Sequence, residues 1–290
     1  MYDLLCIGDT TLDSYFKPLP SKDWQLDKKA RQISFTFPGK IPVELLSQTV
    51  GGNGPNVAIG AGKLGLQTAL LTHLGKDESG RQIKRYLAKF HLPAFLIKMD
   101  KKFRSNFSVI LNVRGERTIF SYHESRDYTL EGLPEAKWIY LTSLGEGWEK
   151  LAKDLTQYLQ NKNIGLIFAP GTLQLAAGAG VIRPLLERTN LIIMNKEEAQ
   201  SYTKTATTDL VELLQALREL GPTLAVITDG ANGCYLAEGA SSWSLTALPG
   251  PVVETTGAGD GFASAFISAM ISKKDLKTAL AWGIIQSSHV

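Results

Sequence analysis

Gly257-Ala258-Gly259-Asp260 places one carboxylate against three small residues, at the point where the extended run Val252-Val253-Glu254-Thr255-Thr256 gives way to Phe262, Phe266 and Met270 at helical spacing. The stretch reads as strand, tight loop, helix. The first N–H groups of a helix lack intrahelical partners and its dipole leaves that end partly positive, so Gly257, Ala258 and Gly259 can wrap backbone donors around an anion. In the first helical turn, Asp260 would repel that anion unless it had a task, such as taking the proton of an attacking hydroxyl in phosphoryl transfer. The plainer reading is an ordinary helix entry with an acidic first turn, so the rest of the chain must decide.

Gly51-Gly52-Asn53-Gly54-Pro55-Asn56 makes a second glycine-rich helix entry, with Pro55 suited to a first helical position. It is neither a Walker A loop, because Leu64 follows Lys63, nor a dinucleotide G-x-G-x-x-G. Tight helix packing explains Gly60, Gly62 and Gly65 but not Asn53 and Asn56, whose amides suit hydroxyl recognition. Asp13 is expected just past the apolar strand Asp3 to Ile7, where small ligands of open α/β sheets bind, although turn or capping duty is the competing reading. Asn195-Lys196-Glu197-Glu198 and Thr228-Asp229-Gly230-Ala231-Asn232-Gly233 close two further apolar runs. Glu198 by itself reads as a helix's first-turn acid, and in this company as a metal partner.

The elements that must position these residues are legible as runs. Trp138 to Leu141, Ile164 to Ala169, Leu191 to Met194 and Leu224 to Thr228 are apolar on both faces and alternate with helices such as Asp209 to Leu220. That pattern predicts an α/β fold with a doubly wound, mostly parallel sheet and helices on both faces. Two segments differ. Residues 14–50 hold Pro18, Pro20, Pro38 and Pro42 and the alternating run Gln32 to Phe37, while Phe107 to Leu111 and Arg117 to Phe120 flank a turn at Arg114-Gly115-Glu116. The expectation is one domain: a core from 1–13, 51–94 and 126–290, and a small β lid from about 14–50 and 95–125, the hairpin adding to the outlying strand.

The 290 residues are 44% hydrophobic and 20% charged with net charge +3, a globular mixture without a basic stripe, so nucleic acid is not implied. Gly261 to Ser272 is too short and too interrupted by serines to span a bilayer. Cys6 and Cys234, far apart in apolar runs, make no disulfide framework, and the first residues lack the look of a signal peptide, so a cytoplasmic location is expected.

Taken in order, these elements resemble the ribokinase-like, or PfkB, family of carbohydrate and nucleoside kinases. The resemblance rests on Gly51 to Asn56 with its helix, Asn195 to Glu198 as N-x-x-E, Thr228 to Gly233 as T-x-G-x-x-G, and Thr255 to Asp260, and it covers nearly the whole chain. It implies a three-layer Rossmann-like sandwich with a small β lid, and ATP-dependent phosphorylation of a sugar or nucleoside hydroxymethyl group. By the same resemblance Asp260 is the catalytic base and Gly257, Ala258 and Gly259 the anion hole. Asp13, Gly51, Gly52 and Asn56 would hold the acceptor, and Asn195, Thr228, Gly230, Gly233 and Thr256 the nucleotide. Glu198 would organise Mg2+ through its waters, and the lid would close over the acceptor and pair two subunits. Two departures stand out. Glu254 replaces the family's usual Asp, so a monovalent cation is not assigned, and the chain stops at His289-Val290, short of the segment that usually completes the adenine pocket. A non-catalytic sugar- or nucleotide-sensing protein of the same fold is the other reading, against which the intact Thr-Gly-Ala-Gly-Asp speaks.

Overall fold

The computed structural model describes residues 1–30, 32–114, 116–250 and 257–289. In chain order the strands are β1 (Tyr2–Ile7), β2 (Thr11–Pro18), β3 (Trp24–Asp27), β4 (Gln32–Phe35), β5 (Val43–Gly51), β6 (Thr68–Gly75), β7 (Ile97–Asp100), β8 (Asn106–Val113), β9 (Glu116–Tyr122), β10 (Ala136–Leu141), β11 (Gly165–Phe168), β12 (Leu191–Asn195), β13 (Leu224–Thr228), β14 (Cys234–Glu238) and β15 (Ser241–Leu245). The helices are α1 (Asn53–Lys63), α2 (Glu78–Ala88), α3 (Trp148–Tyr158), α4 (Thr172–Ala177), α5 (Arg183–Arg188), α6 (Lys196–Thr203), α7 (Leu210–Glu219), α8 (Ala258–Ile271) and α9 (Leu276–Ser287).

Among the described residues, nine strands form one sheet in the order β15-β14-β13-β12-β11-β10-β1-β6-β7. It is parallel from β13 to β7, and only β14 and β15 run antiparallel. Alternation of side chains along each buried strand divides the core in two. Leu5 and Ile7 of β1 pack with residues of α3, α5, α6 and α7. Leu4 and Cys6 pack with residues of α1, α2, α8 and α9 on the opposite face. This is the doubly wound, helix-covered sheet that the continuous apolar runs imply. No helix among the described residues is long and apolar enough to cross a membrane.

A separate four-stranded sheet follows the order β5-β2-β8-β9, and β3 and β4 pair only with each other. Four expectations change here. The alternating run Gln32 to Phe37 yields β4, but the β8–β9 hairpin adds to β2, not to it. Ile97–Asp100 pairs with β6 at the edge of the large sheet, so the 95–125 segment divides between the two sheets. A four-residue strand carries too little periodicity to name its partner. Asp13 lies inside β2, paired opposite Thr49 of β5, because β2 begins at Thr11 and not after the polar turn. Helix α1 likewise starts at Asn53, which puts Pro55 within the first turn instead of at its first position.

The strand order reverses between β10 and β1, where open α/β sheets gather their ligands. Here backbones touch. A Cβ on Gly8 would lie 2.7 Å from Thr142 Cγ2 and 3.1 Å from the Gly54 Cα, so the end of β1 and the start of α1 meet only because both residues are glycine. Gly8→Ala should therefore cost about 1–3 kcal/mol through overpacking and lower Tm by roughly 2 °C or more per kcal/mol. Thermal melting of the purified variant checks this, and an unchanged Tm would contradict the close approach.

Candidate active site

Gly257 adopts a left-handed conformation (φ 82°) and caps α8, whose first turn holds Asp260. The N–H groups of that turn point out of the helix without intrahelical acceptors. A Cβ built on Gly259 would meet nothing within 4 Å among the described residues, and Gly259 is solvent-exposed. An anion such as a phosphate fits this cradle by charge and by donors. Ala258 lies half-buried beside it.

The Asp260 carboxylate accepts a hydrogen bond from Asn56 Nδ2 at 2.8 Å. Burial pushes its pKa up to about 6, against the opposing pull of the Asn56 donor. Asp260 is thus a base whose affinity for protons is raised toward neutrality while it keeps one donor to orient it.

Asn56 stands in the second turn of α1, whose N-cap Gly52 has φ 110°. A Cβ on Gly52 would fall 2.4 Å from the Asp9 carbonyl oxygen, and one on Gly51 would fall 2.0 Å from Asp13 Oδ2. Both glycines are therefore required by their neighbours. Gly51 leaves room for the Asp13 carboxylate, whose Oδ1 is buried without a hydrogen-bond partner among the described residues. Buried carboxylate oxygens are seldom left bare, and a ligand hydroxyl would satisfy this one. Asp13, Gly51, Gly52, Asn56, Asp260 and Gly257 thus form one connected path from β2 to α8.

The second group sits at the ends of β12 and β13, where Asn195 and Thr228 are paired in register. Asn195 Oδ1 accepts from the Glu198 N–H at 2.8 Å and Glu198 Oε2 accepts from the Asn195 N–H at 2.8 Å. This reciprocal pair is a capping box on α6, so the helix-end reading of Glu198 is realised in full. Burial also holds the Glu198 carboxyl above its usual range. Burial first, and then the charge of Asp260 with a smaller contribution from Glu198, hold the hydroxyl of Tyr140, buried in β10, well above its ordinary range. Gly230 (φ 50°) and Gly233 (φ 98°) form the β13–β14 turn, and a Cβ on Gly233 would strike the Leu245 carbonyl at 2.0 Å. Thr256, with Glu254 and Thr255, lies outside the described residues. Among those described, no cluster of three or more His, Cys, Asp or Glu could hold a metal by itself.

Sequence reasoning missed a buried polar cluster beside the switch point. Asp9, 3% exposed, accepts from Asn106 Nδ2 (3.1 Å), from the Tyr128 hydroxyl (2.9 Å) and from the Gly145 N–H (2.9 Å). Arg126 Nη2 donates to Asn106 Oδ1 at 2.9 Å. Asn106 opens β8 and lies opposite Thr11 of β2, so the cluster ties the two sheets together two residues from Asp13. Its members come from four separate segments, with no spacing for a sequence motif to reveal.

The family model described as pfkB family carbohydrate kinase matches residues 23–285. The chain belongs to that family. It is 27% identical over 264 residues to the 5-dehydro-2-deoxygluconokinase of Bacillus subtilis (strain 168), covering 84% of this chain and 81% of that one. The solved structure of Arabidopsis thaliana ribokinase complexed with ribose and ATP superposes with a TM-score of 0.79 at 20% identity, covering 99% of this chain and 91% of the other. The Methanocaldococcus jannaschii nucleoside kinase superposes with a TM-score of 0.75 at 22% identity, again covering 99% and 91%. These two structures bear on the fold, which is ribokinase-like.

The raised carboxyl predicts a pH profile. Below about 6 Asp260 is protonated and cannot accept a proton, so kcat/KM should rise with pH through an acidic limb near 6. Asn56→Leu removes the donor that favours the charged form, and the limb should move to higher pH. A limb in the ordinary carboxylate range, or one that Asn56→Leu leaves in place, would contradict this assignment.

Proposed function

We propose that the chain is an ATP-dependent kinase that phosphorylates a hydroxymethyl group of a small sugar or nucleoside. One observation carries this reading: Asp260, raised to about 6 and oriented by Asn56, stands in the first turn of α8 directly at the open glycine cradle. A proton acceptor beside an anion site is what attack by a hydroxyl on a phosphoryl group needs.

In the proposed reaction the acceptor oxygen bonds to the γ-phosphorus as the bond from that phosphorus to the β–γ bridging oxygen breaks. ADP departs and the hydroxyl proton passes to the Asp260 carboxylate. The N–H groups around Gly257, Ala258 and Gly259 face the charge spread over the transferring oxygens. Asp13 Oδ1, buried and bare, takes a hydrogen bond from an acceptor hydroxyl and fixes its position.

Nucleotide binding is assigned to Asn195, Thr228, Gly230 and Gly233, which share the ends of adjoining strands. Magnesium, when bound with the nucleotide, would neutralise phosphate charge, and Glu198 is the residue assigned to its water shell. With one Glu198 oxygen given to the helix cap, that role is indirect.

The four-stranded sheet is the proposed lid. Its strands β5 and β9 expose Leu45, Leu46, Ile119 and Phe120, an apolar surface that supports closure over the acceptor or pairing with a second copy. Cys6 and Cys234, free and buried, fit a reducing cytoplasmic setting.

A coupled ADP-release assay over a panel of sugars, sugar acids and nucleosides would identify the acceptor. With that acceptor, Asp260→Asn should lower turnover roughly 10²- to 10⁴-fold, the usual worth of a positioned general base. Thermal melting should stay near that of the parent, since asparagine suits a helix entry about as well. Near-normal turnover by the folded variant would overturn the proposed mechanism.

A further inference from the structure

A second cavity, of about 270 Å³, opens between the carboxyl ends of β6 and β7. Its wall includes His73, Lys98, Phe103 and Arg126, and none of the residues of the acceptor path lines it. It is smaller than the roughly 300–1,000 Å³ of sites for drug-sized ligands, so its occupant is small.

The charge around it is uneven. Arg126 is only 3% exposed, yet no ion pair among the described residues joins it to a carboxylate. Its Nη2 donates to the Arg104 carbonyl at 2.5 Å and to Asn106 Oδ1, while Nε and Nη1 are buried without partners. A guanidinium buried this deeply normally finds a counter-charge. Burial pushes Asp9, the carboxylate of the neighbouring cluster, toward its neutral form against the pull of Tyr128 and Arg126. Among the described residues the only other carboxylate that the Arg126 charge holds down is Glu124, which already accepts from the Tyr122 hydroxyl and the Arg104 N–H. His73 packs edge-on against Tyr128 with ring centroids 5.3 Å apart. Burial first, then the charges of Arg126 and Lys98, hold its imidazole down at about 4, against a smaller opposing pull from Asp100. The acids that also line the cavity are placed differently. Asp100 turns Oδ1 to the Lys102 N–H at 2.8 Å, and Asp100, Asp127 and Glu131 are solvent-exposed at the mouth.

We propose that this cavity binds a small oxyanion, the carboxylate or phosphate group of a metabolite, with Lys98 and Arg126 supplying charge and His73 a ring N–H. The basic wall compensates the anion, and the acidic rim excludes larger polyanions such as nucleotides. The site is distinct from the cradle at Gly257, and its existence does not depend on the kinase reading.

Calorimetric titration of the full chain tests it, with inorganic phosphate and malonate as separate probes and a non-hydrolysable ATP analogue present to occupy the cradle. One saturable event with Kd on the order of 1 mM or tighter is expected. Lys98→Ala, a half-buried edge residue whose loss leaves the core intact, should weaken it about tenfold or more, the worth of one charge-assisted hydrogen bond. Removing the rim charges with Asp127→Asn and Glu131→Gln should tighten it, and Asp260→Asn should leave it unchanged. Stronger binding of phosphate than of malonate identifies a phosphorylated metabolite, and the reverse a carboxylate. No saturable heat with either probe up to roughly 50 mM, or equal binding by folded Lys98→Ala, would overturn the proposal.

Discussion

The hydrogen bond from Asn56 to Asp260 joins residues 204 positions apart, and it requires that two helices bring their N-termini to one point. Small residues make this approach available. A Cβ on Gly60 of α1 would lie 2.6 Å from the Ser264 hydroxyl of α8, so nothing larger than glycine fits at that crossing. Further along, Phe262 and Phe266 stack with ring centroids 5.9 Å apart and are buried against the sheet, which fixes α8 in depth. The proposed anion cradle, base and acceptor amide therefore depend on a single packing contact between helices that enter from glycine-rich loops. That contact is also what removes water from Asp260 and lifts its carboxyl toward neutrality.

Around this contact the polar groups divide by their degree of satisfaction. Asn195 and Glu198 satisfy one another in a closed cap, and Asp9 takes donors from three segments. Such complete networks fix structure. Asp13 Oδ1 and Arg126 Nε and Nη1 are buried without partners among the described residues, as are the Thr142 and Tyr202 hydroxyls. Asp13 and Arg126 flank Asn106, whose side chain bonds Asp9 and Arg126 and whose backbone pairs with β2. Unsatisfied groups are where ligands repay desolvation, and each of the two places proposed for ligands holds at least one of them.

The large sheet was legible because strands buried on both faces must be apolar throughout, and β10 to β13 are such runs separated by helices. Its edge was not, since β7 is a short strand following a single 3-10 turn at Ala94–Leu96 and resembles any extended tetrapeptide. The small sheet shows the same limit. Alternation in Gln32 to Phe37 marks a strand with an exposed face but says nothing of its partner, and β4 pairs with β3 alone. For the candidate site, glycines next to helix starts mark the two loops that the fold brings together at Asn56 and Asp260. That Glu198 closes the cap on α6 shows only in the structure, because a capping box and a metal partner share one sequence pattern. The Asp9–Asn106–Arg126–Tyr128 cluster left no trace in spacing, being assembled wholly by topology.

In the proposed mechanism Asp260 receives the proton of the attacking hydroxyl while Asp13 holds the acceptor. A crystal structure with the acceptor and a non-hydrolysable ATP analogue tests it most directly. The account predicts the reacting hydroxyl oxygen within hydrogen-bond reach of the Asp260 carboxylate, in line with the γ-phosphorus, and a second hydroxyl donating to Asp13 Oδ1. An acceptor whose reacting hydroxyl faces away from Asp260, with Asp13 Oδ1 still bare, would contradict it.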